Sequence, residues 1–148
     1  MRWLYQILAV SVPYLLHVAS QTVSCIGEGS CVDRTINCVP NVPCLVICDG
    51  KAACDKISVM GTFATDVRLY CEGENSCKPA TLTCGTGDCV AACTSGKNAC
   101  DGLEVNTYGA KSFQCPYNCP AELLYYQFSA SPTRSPSRYI VHFDDGYL

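Results

Sequence analysis

The chain is predicted to be an all-β, disulfide-stapled β-solenoid of about four coils, each 22–23 residues long. Three observations predict it. Cys25, Cys48, Cys71, Cys93 and Cys115 recur at spacings of 23, 23, 22 and 22 residues, a fixed period of the size that stacked repeats show. All fourteen cysteines fall between Cys25 and Cys119. Each period also carries a glycine bend and short runs in which apolar and polar residues alternate, the pattern of half-buried strands.

The first twenty residues read as a secretory leader. Arg2 supplies the positive start, Trp3 to Leu16 is mostly apolar, and Val18-Ala19-Ser20 offers the small residues at which a signal peptidase cuts. Cleavage is expected before Gln21. Pro13 interrupts an apolar stretch shorter than the ~20 residues a membrane span needs, so no span is expected after cleavage. The leader takes Arg2 with it, leaving nine Lys and Arg against thirteen Asp and Glu, a net charge of about −4. The remaining basic residues are scattered singly. That balance argues against nucleic acid or anionic lipid as a partner, both of which favour basic patches.

Fourteen cysteines behind a leader form a disulfide framework, and the even count lets every one be paired. The set is Cys25, Cys31, Cys38, Cys44, Cys48, Cys54, Cys71, Cys77, Cys84, Cys89, Cys93, Cys100, Cys115 and Cys119. Structural zinc sites use C-x2-C or C-x4-C half-sites, often with His. Here the short spacings are C-x3-C, C-x4-C, C-x5-C and C-x6-C, and His142 is the one histidine after the leader. No metal or other cofactor is expected.

Aligned on the ladder cysteines, the units start at Cys25, Cys48, Cys71 and Cys93, and a partial fifth starts at Cys115. Each complete unit opens on a C-x-G-x-x-[SA]-C turn, with one extra residue in the fourth, Cys93-Thr-Ser-Gly96. Gly27, Gly50, Gly73 and Gly96 occupy the bend, where glycine supplies backbone conformations closed to other residues. Alternating runs follow at Ile36–Cys38, Ile57–Val59, Leu82–Cys84 and Leu103–Val105. A second apolar stretch precedes each next ladder cysteine: Leu45–Ile47, Val67–Tyr70, Val90–Ala92 and Phe113. Every unit therefore holds at least two short strands and no credible helix. Units one and three carry four cysteines and units two and four carry two. Val59 and Val105 are expected where units one and three have Cys38 and Cys84, since cysteine and valine are both small buried side chains.

Two architectures accommodate this pattern. In the solenoid, coils stack ~4.8 Å apart and equivalent residues form ladders. In the alternative, each pair of units is a small disulfide-rich domain, repeated in tandem. Apolar positions that recur in single units favour stacking. Stacking then leaves Cys38 and Cys44 without counterparts in the next coil, so they pair with each other, as do Cys84 and Cys89. The other ten cysteines close either within coils, as Cys25–Cys31 and Cys48–Cys54, or between coils, as Cys25–Cys48 and Cys31–Cys54. The within-coil set is preferred.

The domain boundaries expected are a leader at 1–20, a cysteine-rich repeat domain at 21–120 and a tail at 121–148. Pro120–Phe128 has the pattern of one amphipathic helix, suited to covering an open solenoid end. Ser129–Ser137 is a Ser/Pro-rich linker, and Tyr139–Phe143 has a strand pattern. The abrupt loss of cysteine after Cys119 also fits a truncated reading frame.

Catalytic signatures are missing from the sequence. His142 has no G-x-S-x-G beside it, and there is no H-E-x-x-H, P-loop or EF-hand loop. Stacking would bring Asp49 near Glu72 on one corner and place Asp55 and Asp101 on another, with Lys51 and Lys97 two coils apart. These read as solvated turn charges. Ice binding needs repeated Thr-x-Thr, and only Thr81-Leu82-Thr83 provides it. No catalytic residue is assigned, and the protein is expected not to be an enzyme.

The runs CDGKAACDKI and CEGENSCKPATL resemble a cysteine-rich G-x-x-[AS]-C-x(3-5)-[IL] repeat of secreted or surface proteins of protists, including algae. The resemblance covers about residues 25–119 and implies a β-solenoid outside the cell, without catalytic residues. The function expected is a secreted, non-enzymatic binding or structural module of a cell surface or matrix, with an extracellular glycan or protein as partner. A secreted effector or protease-inhibitor-like protein is the alternative, with Met60–Thr65 as the contact loop. A carbohydrate-active enzyme using a stacked acid such as Glu72 is the third reading.

Overall fold

The structure, a computed structural model, describes residues 19–115 and 137–141. Over these residues it is all-β. The strands are β1 (Gln21–Ile26), β2 (Thr35–Asn37), β3 (Cys44–Asp49), β4 (Ser58–Gly61), β5 (Val67–Glu72), β6 (Thr81–Cys84), β7 (Asp88–Ser95), β8 (Leu103–Thr107), β9 (Ser112–Gln114) and β10 (Ser137–Val141). They form two five-stranded sheets, ordered β1-β3-β5-β7-β9 and β10-β8-β6-β4-β2. Each coil gives one strand to each sheet. Pairing is parallel everywhere except between β10 and β8, which are antiparallel.

This is the stacked solenoid, and tandem domains are ruled out by register. β5 runs up to the proposed boundary near residue 70, yet it pairs with β7 beyond that boundary, Leu69 facing Ala91 and Tyr70 facing Ala92. In the second sheet β4 pairs with β6 in the same way.

Between the sheets lies a thin core built of columns. Val46, Leu69 and Ala91 form one, Cys25, Cys48, Cys71 and Cys93 a second, and Ile36, Val59, Leu82 and Val105 a third. Alternation sends the neighbours outward, so Arg68 and Val90 share a position on the outer face while Leu69 and Ala91 point in. The largest fully buried side chains are Ile57, Leu69, Leu82 and Leu103. Each contributes about 1.5–3 kcal/mol by burial. Ala91 and Ala53 fill positions where a larger core would place leucine, which leaves much of the stability to the bridges.

One expected column is corrected. Cys38 and Cys84 do not stack with Val59 and Val105. Their column contains Gly61 and Thr107, whereas Val59 and Val105 stack on Ile36 and Leu82. The Ile57 position lies two residues earlier, stacked with Ala80 and Leu103. The extra residue of unit four is absorbed by a β-bulge: Cys71 faces Cys93, Glu72 faces Ser95, and Thr94 is left over. The bulge returns Gly96 to the glycine column.

The C-terminal strand pattern starts at Ser137, earlier than the expected Tyr139, and β10 closes the last edge of the second sheet against β8. Residues 1–18, the expected helix at Pro120–Phe128, most of the linker, and His142 and Phe143 lie outside the described residues. Among the described residues, no helix is long and apolar enough to cross a membrane.

Candidate functional site

Cysteine pairing follows from the fold. The C-x5-C turn leaves one sheet, bends at its glycine and returns inward six residues later, bringing two Cα atoms within disulfide reach. The bridges are Cys25–Cys31, Cys38–Cys44, Cys48–Cys54, Cys71–Cys77, Cys84–Cys89 and Cys93–Cys100, with Cα separations from 5.7 to 6.0 Å. Each closes within one coil. Cys115 is also disulfide-bonded, and Cys119, the partner expected for it, lies outside the described residues. The sulfurs of Cys25, Cys48 and Cys54 lie within 4.8 Å of one another. They belong to stacked bridges, so they do not form a thiolate set.

The glycine bends define one corner. Gly27, Gly50, Gly73 and Gly96 all have positive φ, from 99° to 136°. They also stack so closely that a Cβ on Gly73 would lie 2.6 Å from the Gly50 carbonyl oxygen. The residues that follow these glycines alternate in charge up the stack: Glu28, Lys51, Glu74, Lys97. Backbone bonds hold that order, with Gly29 N donating to Lys51 O, Ala52 N to Glu74 O and Asn75 N to Lys97 O. Thus Lys51 and Lys97 do share a corner, and an acid sits between them. The Asn98 side chain donates to Asn75 Oδ1 at 3.1 Å, an amide ladder beside the charged one.

Acids expected to stack do so without converging on a catalytic arrangement. Asp49 and Glu72 are register partners one coil apart. Asp55 and Asp101 flank Lys78, whose ammonium lies 2.7 Å from the Asp101 carboxylate. Lys78 thus separates two acids on its corner, an order that favours the register, whereas Asp49 and Glu72 are like charges side by side.

The outer face of the second sheet is polar. Thr35, Ser58, Thr81 and Glu104 form one column, and Asn37, Met60, Thr83 and Asn106 the next. Met60 and Glu104 interrupt what a Thr-x-Thr array requires.

The opposite corner departs from the repeat. Its turns connect β2 to β3, β4 to β5, β6 to β7 and β8 to β9, and they expose Val39, Phe63 and Tyr108, with Met60 exposed at the end of β4 beside them. Sequence reasoning identified Met60–Thr65 here and missed Tyr108. The legible signal for Tyr108 was an aromatic residue three positions after the alternating run Leu103–Val105, where units one and three carry no aromatic. The loop is held by backbone bonds from Ala64 N to Gly61 O, Thr65 N to Val42 O and Asn41 N to Phe63 O.

The chain is a cysteine-rich repeat protein whose coils are closed one by one by disulfides. No family model, no curated protein and no solved structure matches it.

Proposed function

We propose that this protein is a secreted, non-enzymatic module that binds to, or forms part of, a cell surface or extracellular matrix, as in the protist repeat proteins it resembles. The observation that carries the reading is the bridging of every complete coil. Bridges on this scale persist in oxidising compartments, and a core this thin depends on them. The stapled stack carries two sheets whose equivalent positions recur coil by coil.

The test is fractionation of cells expressing the tagged full-length chain. Recovery in the medium or wall fraction, beginning at Gln21, with retention on isolated matrix, is the expected result. Recovery in the cytosol with reduced thiols would overturn the reading.

A second reading, an effector or inhibitor of another protein, is favoured by one feature. Phe63 is 73% exposed on a turn that is well ordered by its backbone bonds. One-to-one inhibition of a protease by the purified protein would bring that reading to the front. Turnover of a glycan, lost on Glu72→Gln, would instead support the enzymatic reading.

A further inference from the structure

The outer faces of the two sheets differ in character. On the second sheet the outward columns are polar apart from Met60. On the first, alternation turns Leu45 and Ile47 of β3, Tyr70 of β5 and Val90 of β7 away from the core, while Val46, Leu69 and Ala91 point into it. The four outward side chains are half-buried, and none packs against the core between the sheets. Ile47 and Tyr70 are register partners at the centre, and Arg68 lies between Leu45 and Val90 in the neighbouring column. Apolar surface of this kind, rimmed by polar groups, marks an interaction site.

Charge frames the patch. β5 presents Arg68, Tyr70 and Glu72 outward at alternate positions. Glu72 has Asp49 as its register partner, so two acids lie side by side. Arg68 is exposed, and among the described residues neither it nor either acid forms an ion pair. Four residues at ~3.3 Å separate Arg68 from Glu72 by about 13 Å along the strand, too far for the two to pair with each other.

A second copy resolves these charges. One molecule is turned by 180° about an axis that runs along the stack, through the column of Ile47 and Tyr70, and the two first sheets are laid face to face. Each layer then meets itself with its strand reversed. Tyr70 meets the partner's Tyr70 on the axis. Arg68 lies opposite the partner's Glu72, with the partner's Asp49 one coil away, and the same holds in the other direction. Sheets pack face to face ~10 Å apart with strands aligned to within about 30°.

We infer that the outer face of the first sheet is a self-association surface, centred on Tyr70 and registered by Arg68 against the partner's Glu72. The inference goes beyond the binding-module reading and does not rest on it. Such an interface is isologous, one patch serving both copies. Tyrosine and arginine are residue types that interfaces favour, and the apolar centre with a charged rim is the usual arrangement. A different protein would have to supply a cation opposite the two acids and an anion opposite Arg68, which this face supplies to itself. Four strands wide at ~4.8 Å and five residues long at ~3.3 Å, the face covers about 300 Å² per copy. That is small for a permanent dimer, so the association is weak and reversible.

The experiment is sedimentation equilibrium of the purified, oxidised full chain. A monomer–dimer equilibrium with Kd between roughly 10 µM and 1 mM is expected. Arg68→Glu and Glu72→Arg should each weaken it about tenfold or more, because each sets like charges face to face. Mixing the two variants should restore association as a heterodimer, since one then presents acids at both positions and the other arginines at both. A misfolded variant could not give that rescue, and the disulfide map of each variant should match the parent. A chain that stays monomeric throughout, whether the rest of the chain or a different protein covers the face, overturns the inference. So does a dimer that survives both single swaps, or a pair of swaps that do not rescue each other. None of these results bears on matrix retention, which tests the binding module separately.

Discussion

The side-chain carbonyl of Gln21 accepts a hydrogen bond from the Val39 amide at 2.7 Å, while its amide nitrogen donates to the Asn37 carbonyl at 3.2 Å. Cys38 N points the other way, to Met60 O in the coil above. Asn37 O and Val39 N therefore face the open end of the stack, where no described strand lies beyond β2. One side-chain amide, sent across from the first sheet, occupies the place of a missing peptide group. Exposed strand edges invite unwanted pairing, and Gln21 blunts this one.

Replacing Gln21 with leucine should remove both bonds and leave two edge groups without a partner. The expected loss is about 1–2 kcal/mol, read by denaturant unfolding of the oxidised chain. Gln21→Glu keeps the acceptor and loses the donor, so its loss should be the smaller. Hydrogen exchange at Val39 should accelerate in the leucine variant and stay slow in the glutamate one.

Two glycines of one column should respond differently to alanine. Gly27 has φ +99° and nothing within 4 Å of an added Cβ, so Gly27→Ala should cost only the backbone strain, about 1–2 kcal/mol. Gly73 has φ +106° and an added Cβ would meet the Gly50 carbonyl oxygen at 2.6 Å. Gly73→Ala should cost about 1–3 kcal/mol more. Equal unfolding midpoints for the two variants would show that coil spacing is looser than described.

Ser76 should be improvable. Its hydroxyl is buried and makes no hydrogen bond, while Ala53 and Ala99 occupy the matching positions in the coils below and above. An unsatisfied buried polar group costs about 1–3 kcal/mol. Ser76→Ala should therefore raise stability by about 1 kcal/mol, visible as a higher Tm under non-reducing conditions.

Lys78→Ala should matter little and depend on salt. The Lys78–Asp101 pair is 2.7 Å apart, but the lysine side chain is 36% exposed, and solvent screens such pairs to roughly 0–1 kcal/mol. The difference from the parent should fade between low salt and about 1 M, where the screening length is ~3 Å.

The ladder Cys25, Cys48, Cys71, Cys93 was legible because one residue type recurs every 22–23 positions, and the two strands per coil followed from alternation. The column containing Cys38 was misread for a physical reason. A slip of two residues leaves every side chain on the same face of a strand, so the alternation through Ile57 and Val59 fits either register. Only neighbouring strands decide between them. Gly61 in place of a second valine was the available clue, because Val67 presses against it so closely that a Cβ there would clash. The role of Gln21 was invisible for another reason. It depends on where the first coil ends relative to its neighbour, which is a difference between units and not a property of any one of them.

Every bridge among the described residues spans only five to seven positions along the chain. No covalent link among those residues joins one coil to another. Under tension between its ends, the molecule should therefore pay out one coil at a time, each step breaking the sheet bonds of a single layer while its small loops stay locked. Such a molecule resists force across the stack and yields along it in instalments, a behaviour that single-molecule stretching would record as a train of rips, each about one coil long.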